Sequence, residues 1–345
     1  MPTVRFGAII FSLLLSSAGA HAEFTNKSYS YFALGSSLTS YSESLSGFAG
    51  SSFKSDFSST GLTQRSGGYT ALSEDGHFGF FIATQSTLLA NEDSEKWNAN
   101  WDDDGDGSKD GKRTVQIDQV SMNQGGLDLL AVYHLKNGYF VTVGMRYQKL
   151  VFSRFDFQSV TDNDNTADYA AFTLANSATY ANIVQLINDN GSTVINGTTV
   201  TTAAEAAELI KFSPEALTPV VSEDLTTFSV VGGFGYDSFF IDNTPGLRYK
   251  FDISMGTPFY VSVLNTNLEG SDRSIAETFS GGIDINGNVS VGYQFNEKIS
   301  VMASLSYVYS DRDTISTTTA IGQKVSLPNN TFEAIIPEIA FFWAF

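Results

Sequence analysis

The chain predicts an all-β protein, a transmembrane antiparallel up-and-down β-barrel of about ten strands, with twelve as the alternative. Three observations lead there: an export signal, strands whose two faces differ in polarity, and connections that alternate between short and long.

The first residues, MPTVRFGAIIFSLLLSSAGAHA, place Arg5 ahead of an apolar run from Phe6 to Leu15, then small residues ending in Ala20-His21-Ala22. These are the basic, apolar and A-x-A parts of a secretory signal. The run is too short for a spanning helix, which needs about 20 residues. Residues 1–22 are therefore expected to leave, and 23–345 to form the barrel, with a long extracellular loop, 156–225, inserted in it. With no cysteine in the chain, disulfide staples and thiolate chemistry are excluded. A formal charge of -18 argues against nucleic acid as a partner. Aromatic residues make up 13% and glycines number 30, a composition that suits a β protein.

The strands show a period of two. Val141, Val143, Met145 and Tyr147 alternate with Thr142, Gly144, Arg146 and Gln148. Leu247, Tyr249, Phe251, Ile253 and Met255 alternate with Arg248, Lys250, Asp252 and Ser254. Further rows run from Phe279 to Phe295 and from Ile299 to Tyr309. One face is too polar to form the core of a soluble sandwich. In a membrane barrel the apolar row meets lipid, the polar row meets the lumen, and closure leaves no unpaired edge in hydrocarbon.

Short polar turns fall at Ser73–Gly76, Lys136–Gly138, Asp242–Gly246 and Asn296–Lys298. Long polar segments lie between them, at Ser42–Ser55, Asn91–Thr114, Asp156–Leu225, Leu264–Ile275 and Asp311–Asn330. That asymmetry matches short periplasmic turns and long extracellular loops. A first strand near Tyr29–Tyr41 and a last near Thr331–Phe345 then put both termini on the periplasmic side.

The chain ends EAIIPEIAFFWAF, where Ile339, Phe341, Trp343 and Phe345 form an alternating row with a terminal aromatic. This resembles the assembly signal of Gram-negative outer-membrane β-barrel proteins. The resemblance implies the outer membrane as location, and the barrel-assembly machinery and periplasmic chaperones as partners during biogenesis. Lipid and lipopolysaccharide would surround the mature protein, expected here as a monomer. Phe342 breaks the alternation, as an inward plug or a girdle residue, and Pro337 marks an edge or a bulge.

Ten strands enclose a lumen that side chains largely fill. The inner row offers Arg146, Arg248 and Lys250 with Asp128, Asp237, Asp252 and Asp284. The turn after Asp237 brings it toward Arg248 or Lys250, which predicts an ion pair there. These charges either order a polar core or form a selectivity ring. No G-x-S-x-G, phosphate-binding loop or H-E-x-x-H motif is present. His21 leaves with the signal, while His77 and His134 adjoin short turns, away from the outer rim. No enzyme is expected.

The segment from Asp156 to Leu225 is long enough to carry structure of its own. Ala167–Ile187 reads as a helix, Asn196-Gly197 as a hairpin turn, and Thr202–Glu205 as a capping box opening a helix through Ile210. A surface cap, a lid and an adhesive loop are all compatible with it. In WDDDGDGSKDGKR, Asp102, Asp104, Asp106 and Gly107 resemble the start of an EF-hand calcium loop, with Asp110 at the ninth position. Arg113 stands where the bidentate Glu belongs, so a weak extracellular calcium site and a solvated acidic loop both fit. The reading is a non-enzymatic outer-membrane barrel with a surface structural, binding or restricted-passage role. A porin-like diffusion channel is the alternative, and a calcium-dependent surface adhesin the next.

Overall fold

The computed structural model describes residues 27–46, 52–73, 76–101, 111–159, 178–195, 198–206, 220–241, 244–265, 274–278, 281–318 and 324–345. In chain order the strands are β1 (Tyr29–Ser46), β2 (Ser52–Ala71), β3 (Phe78–Ala90), β4 (Glu92–Trp101), β5 (Gly111–His134) and β6 (Tyr139–Ser159). Helix α1 (Ala178–Asn190) and the short strands β7 (Thr193–Ile195) and β8 (Thr198–Val200) follow. The wall resumes with β9 (Val220–Asp237), β10 (Gly246–Asn265), β11 (Ser274–Thr278), β12 (Gly282–Gln294) and β13 (Ile299–Arg312). Strands β14 (Ile315–Thr318), β15 (Lys324–Leu327) and β16 (Asn329–Ala344) complete the chain.

Neighbours run β1-β16-β13-β12-β10-β9-β6-β5-β3-β2, and β2 pairs back to β1, so the sheet closes. Strand β4 continues β3 past Asn91, between β2 and β5. Strand β11 likewise precedes β12 along β10. Twelve paired segments thus make ten staves, all antiparallel. Tyr29 pairs with Ala344 and Tyr69, so the start of β1 and the end of β16 lie with the short turns. In one of these turns Asn137 (φ 58) and Gly138 (φ 79) take the left-handed conformation that suits Asn and Gly.

The staves are longer than a membrane requires. β1, β2, β5, β6, β9 and β10 have 18, 20, 24, 21, 18 and 20 residues, against about 9–11 for a tilted spanning strand. Near the short turns the outer face is apolar, with Leu247, Ile253, Phe341 and Trp343 exposed. Farther up the two faces exchange. Tyr41, Phe57, Val120, Met122, Leu150 and Phe152 point inward and belong to one buried cluster, while Ser40, Ser58, Lys149 and Asp224 point out. On β5 the exchange falls at Gly125-Gly126, with Met122 inward above it and Leu129 outward below.

The single lipid-facing apolar row expected along each strand is therefore correct only for the lower half. The physical reason is that an amphipathic strand turns its apolar side away from water, and the upper half has water outside. The same fact corrects three expected loop boundaries: β1 reaches Ser46, β4 and the start of β5 occupy much of Asn91–Thr114, and β9 begins at Val220. Pro337 is neither at an edge nor in a bulge. The β1–β16 register is unchanged across it, but pairs are missing between Gly35/Glu338 and Leu38/Ile335, where proline has no N–H to give. A true bulge lies on β10 between Pro258 and Tyr260. It switches the inward residues from Arg248 and Lys250 below to Val261 and Val263 above.

In the third long connection, α1 lays Ile183 and Ile187 against Val200 and Ala206, a small core of its own. Asn196-Gly197 lies outside the described residues, as does 160–177, so the expected helix is seen only from Ala178 onward. The capping box forms: Glu205 N–H donates to Thr202 Oγ1 (3.2 Å), and Thr202 N–H donates to the Glu205 carboxylate (3.3 Å). Hydrogen bonds from the Thr201 backbone and hydroxyl, with those from Thr202, hold the Glu205 carboxyl below the usual carboxylate range. A depressed folded pKa makes this cap stabilising above the unfolded value and lost as pH falls through the folded one. Amide exchange at Ala206, whose N–H donates to Thr202 O (3.1 Å), should be protected near neutral pH and lose that protection in acid.

Inside the lower wall, the Phe140 ring lies over its cross-strand partner Gly235, where an added Cβ would fall 2.4 Å from the ring. Gly235→Ala should destabilise the barrel by about 1–3 kcal/mol, read as a lower urea midpoint of the heat-modifiable folded band. Gly125→Ala, which meets nothing within 4 Å, should leave that midpoint unchanged.

Candidate functional site

The lumen is occupied in three layers. At the base, the 3-10 turn Ser238–Phe240 folds inward, its start held by Asp237, which accepts from Phe239 N–H (3.0 Å). Phe239 meets Tyr29 edge-on at 5.5 Å, and Phe240 meets Tyr69 at 5.1 Å and His134 at 4.1 Å. Arg248 sits among these rings, 4.6 Å from the centroids of both Phe239 and Phe342. Its guanidinium donates to Asp237 (3.0 and 3.3 Å) and Ser300 (2.8 Å). Arg248 is thus the partner that reaches Asp237, and Phe342 is an inward plug residue.

The middle layer is polar. Arg146 grips Asp128 with two hydrogen bonds (2.7 and 3.0 Å) and reaches Ser254 across β9 (3.2 Å). Lys250 lies 3.6 Å from Asp252. Asp284 pairs with Arg312 (2.6 Å) and accepts from Ser310 (2.8 Å) and Ser229. Arg65 pairs with Glu338 (3.0 Å) and donates to Ser306 (2.6 Å). Among these groups lies a cavity of about 130 Å³, lined by Arg65, Arg146, Lys250, Asp128 and Asp252 with Gln85, Gln124 and Asn288. Such a space is polar enough to hold water.

The upper layer joins the apolar cluster to one buried arginine. Arg154 donates to Glu95 (2.7 and 3.3 Å) and Glu43 (3.1 Å). Tyr41 O–H donates to Glu43 (2.8 Å), and Ser55 to Glu95. Asp118, the register partner of Glu95, and Glu223 are buried at the same level.

The structure therefore places all seven charges expected in the inner row on the lumen side, and joins them as Arg146–Asp128, Arg248–Asp237 and Lys250–Asp252, with Asp284 going to Arg312. Arg65, Arg154, Arg312, Glu43, Glu95 and Glu338 were not anticipated. Continuing the inward parity of Arg146 by eight residues gives Arg154, and the same step would have found Arg312 had it not been assigned to a loop. Asp102, Asp104, Asp106 and Asp110 lie outside the described residues. His77 and His134 sit at the short-turn end, so among the described residues the loop rim holds no histidine.

Breaking a buried pair by removing one member leaves an uncompensated charge and costs about 3–5 kcal/mol. Arg154→Ala should lower the unfolding free energy of the detergent-solubilised barrel by that order, and adding Glu43→Gln with Glu95→Gln should recover much of it.

No family model matches the chain, and no curated protein matches it by sequence. Among solved structures, it is similar to the outer-membrane protease OmpT from Escherichia coli, with a TM-score of 0.52 at 8% identity, over 96% of this chain and 100% of that one. The translocator domain of the autotransporter NalP from Neisseria meningitidis (TM-score 0.31, 7% identity, 98% and 94% covered) and a Pseudomonas aeruginosa FadL homologue (0.26, 7%, 92% and 90%) are more distant. The chain has the fold of an outer-membrane β-barrel: a closed, antiparallel barrel of ten staves.

Proposed function

We propose that this chain is a non-conducting, non-catalytic barrel of the bacterial outer membrane that holds a rigid strand-built wall and its loops above the surface for structure or binding. The observation that carries the reading is the set of contacts crossing the lumen. Strand β6 lies four staves from β1 in a ring of ten, yet Tyr41 and Phe152 touch across the lumen with ring centroids 4.6 Å apart, and Arg154 reaches Glu43. Lower down Tyr29 meets Phe239, which follows β9 on the far side. The cavity lies between these contacts, which supports a lumen closed to hydrated solutes. Export through the signal at residues 1–22, insertion by the assembly machinery through the Ile339, Phe341, Trp343 and Phe345 row, and periplasmic short turns complete the reading.

The likeness to a protease supports the fold and carries no activity at 8% identity. Purified protein in a planar lipid bilayer should give no sustained current steps. Regular steps from the wild-type barrel would overturn the reading in favour of a diffusion channel.

A further inference from the structure

Around the cavity of the middle layer, polar groups outnumber the partners that the wall supplies. The Lys250 side chain is 9% exposed, and among the described residues its ammonium reaches only Asp252, at 3.6 Å, and the face of Phe81, 5.3 Å from the ring centroid. Its three N–H donors are thus without a hydrogen bond of normal length. Asp252 belongs to the lumen-facing row yet keeps 35% of its side-chain surface accessible, and it lines the cavity. The Gln85 amide donates to the Gln124 carbonyl (3.4 Å), which leaves the Gln85 carbonyl and the Gln124 amide for another partner. The Tyr69 hydroxyl, on a side chain only 2% exposed, has no hydrogen-bond partner among the described residues. Buried polar groups left in this way are costly, and most find a partner.

Two features narrow what would satisfy them. The charges cancel: Arg65 is paired with Glu338, Arg146 with Asp128, and Lys250 faces Asp252. A charged guest would leave one ion uncompensated inside the barrel, so a neutral guest fits. The lower side of the cavity is aromatic, with Tyr69, Phe81 and Phe240, and it offers C–H groups an apolar surface. The open groups above are donors and acceptors mixed, which suits hydroxyls, since each hydroxyl both donates and accepts. At about 130 Å³ the space is close to the ~150 Å³ that holds a benzene ring, so it takes on the order of six non-hydrogen atoms.

We infer that the cavity binds a small neutral polyol of about the size of glycerol. Its C–H side lies toward Tyr69 and Phe81, and its hydroxyls bridge Lys250, Asp252 and the Gln85–Gln124 pair. Phe240 closes the cavity from the short-turn end and belongs to the 3-10 turn, not to a strand. It can swing aside without breaking the strand ladder, and the guest enters there. A site open at one end needs no passage through the lumen, so the inference goes beyond the closed-barrel reading and does not rest on it.

Gly126 supplies the control. It lines the cavity, and an added Cβ there would meet only Tyr147 O, at 3.5 Å, so Gly126→Leu places a side chain in the space the guest would occupy. Folded, isotope-labelled barrel in detergent is titrated with glycerol and followed by NMR. The side-chain amide signals of Gln85 and Gln124 should shift saturably, and glycerol protons should cross-relax with the Tyr69 and Phe81 rings. Gly126→Leu should abolish both effects. Gln124→Met should weaken binding about fivefold, which keeps the test decisive should the leucine variant fail to fold. Shifts that grow linearly with glycerol, as a polyol acting only through the solvent would give, would overturn the proposal and leave water as the only occupant. So would saturable shifts that survive in Gly126→Leu, or an affinity unchanged in Gln124→Met. Neither readout measures current, so a conducting barrel would overturn the closed-lumen reading alone.

Discussion

A strand that passes from hydrocarbon into water must change which of its faces is apolar, and most of this molecule follows from that requirement. Closure satisfies the backbone of the ten staves in both media. What closure does not settle is the side chains. Below, lipid takes the apolar row and the lumen takes the charges. Above, water takes the polar row, and the lumen receives Tyr41, Phe152, Leu150 and Phe332 as an ordinary hydrophobic core. The molecule is thus a membrane barrel continued, without a change of chain direction, into a barrel with the interior of a soluble protein.

That division explains how the charges are held. The base arginine, Arg248, lies among aromatic rings with one carboxylate, and the upper arginine, Arg154, lies two residues beyond Phe152, on the loop side of that ring, with two. Both are desolvated and both are paired with carboxylates through more than one hydrogen bond, the condition under which buried pairs are tolerated. Between them the middle layer keeps its charges paired but leaves a small polar space. Packed layers on either side of a polar centre support the proposed reading of the lumen as a core. A conducting pore needs groups that stay hydrated along its whole length.

Much of this was legible in the sequence. The period of two, the four short turns and the polar inner row specify strands, hairpin ends and the parity of Arg146, Arg248 and Asp237. What stayed hidden is the exchange of faces. A stretch such as SEDLT, with Ser222, Asp224 and Thr226 facing outward and Leu225 inward, has the composition of a loop when hydrocarbon is taken to lie outside. It becomes a strand once water does. Arg154, Glu43 and Arg312 were lost for that reason, since each lies just past the point where the expected apolar row ends. The cross-lumen pairs were hidden for another reason: Tyr41 and Phe152 are brought together only by the number of staves between them.

Pro337 shows the two levels acting together. In a closed barrel there is no edge for a proline to occupy, so its missing N–H must fall within the wall, and it falls between β16 and β1. On the other flank Pro337 sits opposite Leu305 on β13 with the register intact, so the defect is confined to one seam. Glu338, the next residue, turns inward to Arg65 of β2, two staves away. That ion pair ties β16 to β2 across the interrupted seam from the lumen side, replacing from within part of the cohesion that the backbone lacks. The last strand is therefore bridged over the first to β2 by a side-chain pair, beside the place where the β1–β16 hydrogen-bond ladder is interrupted.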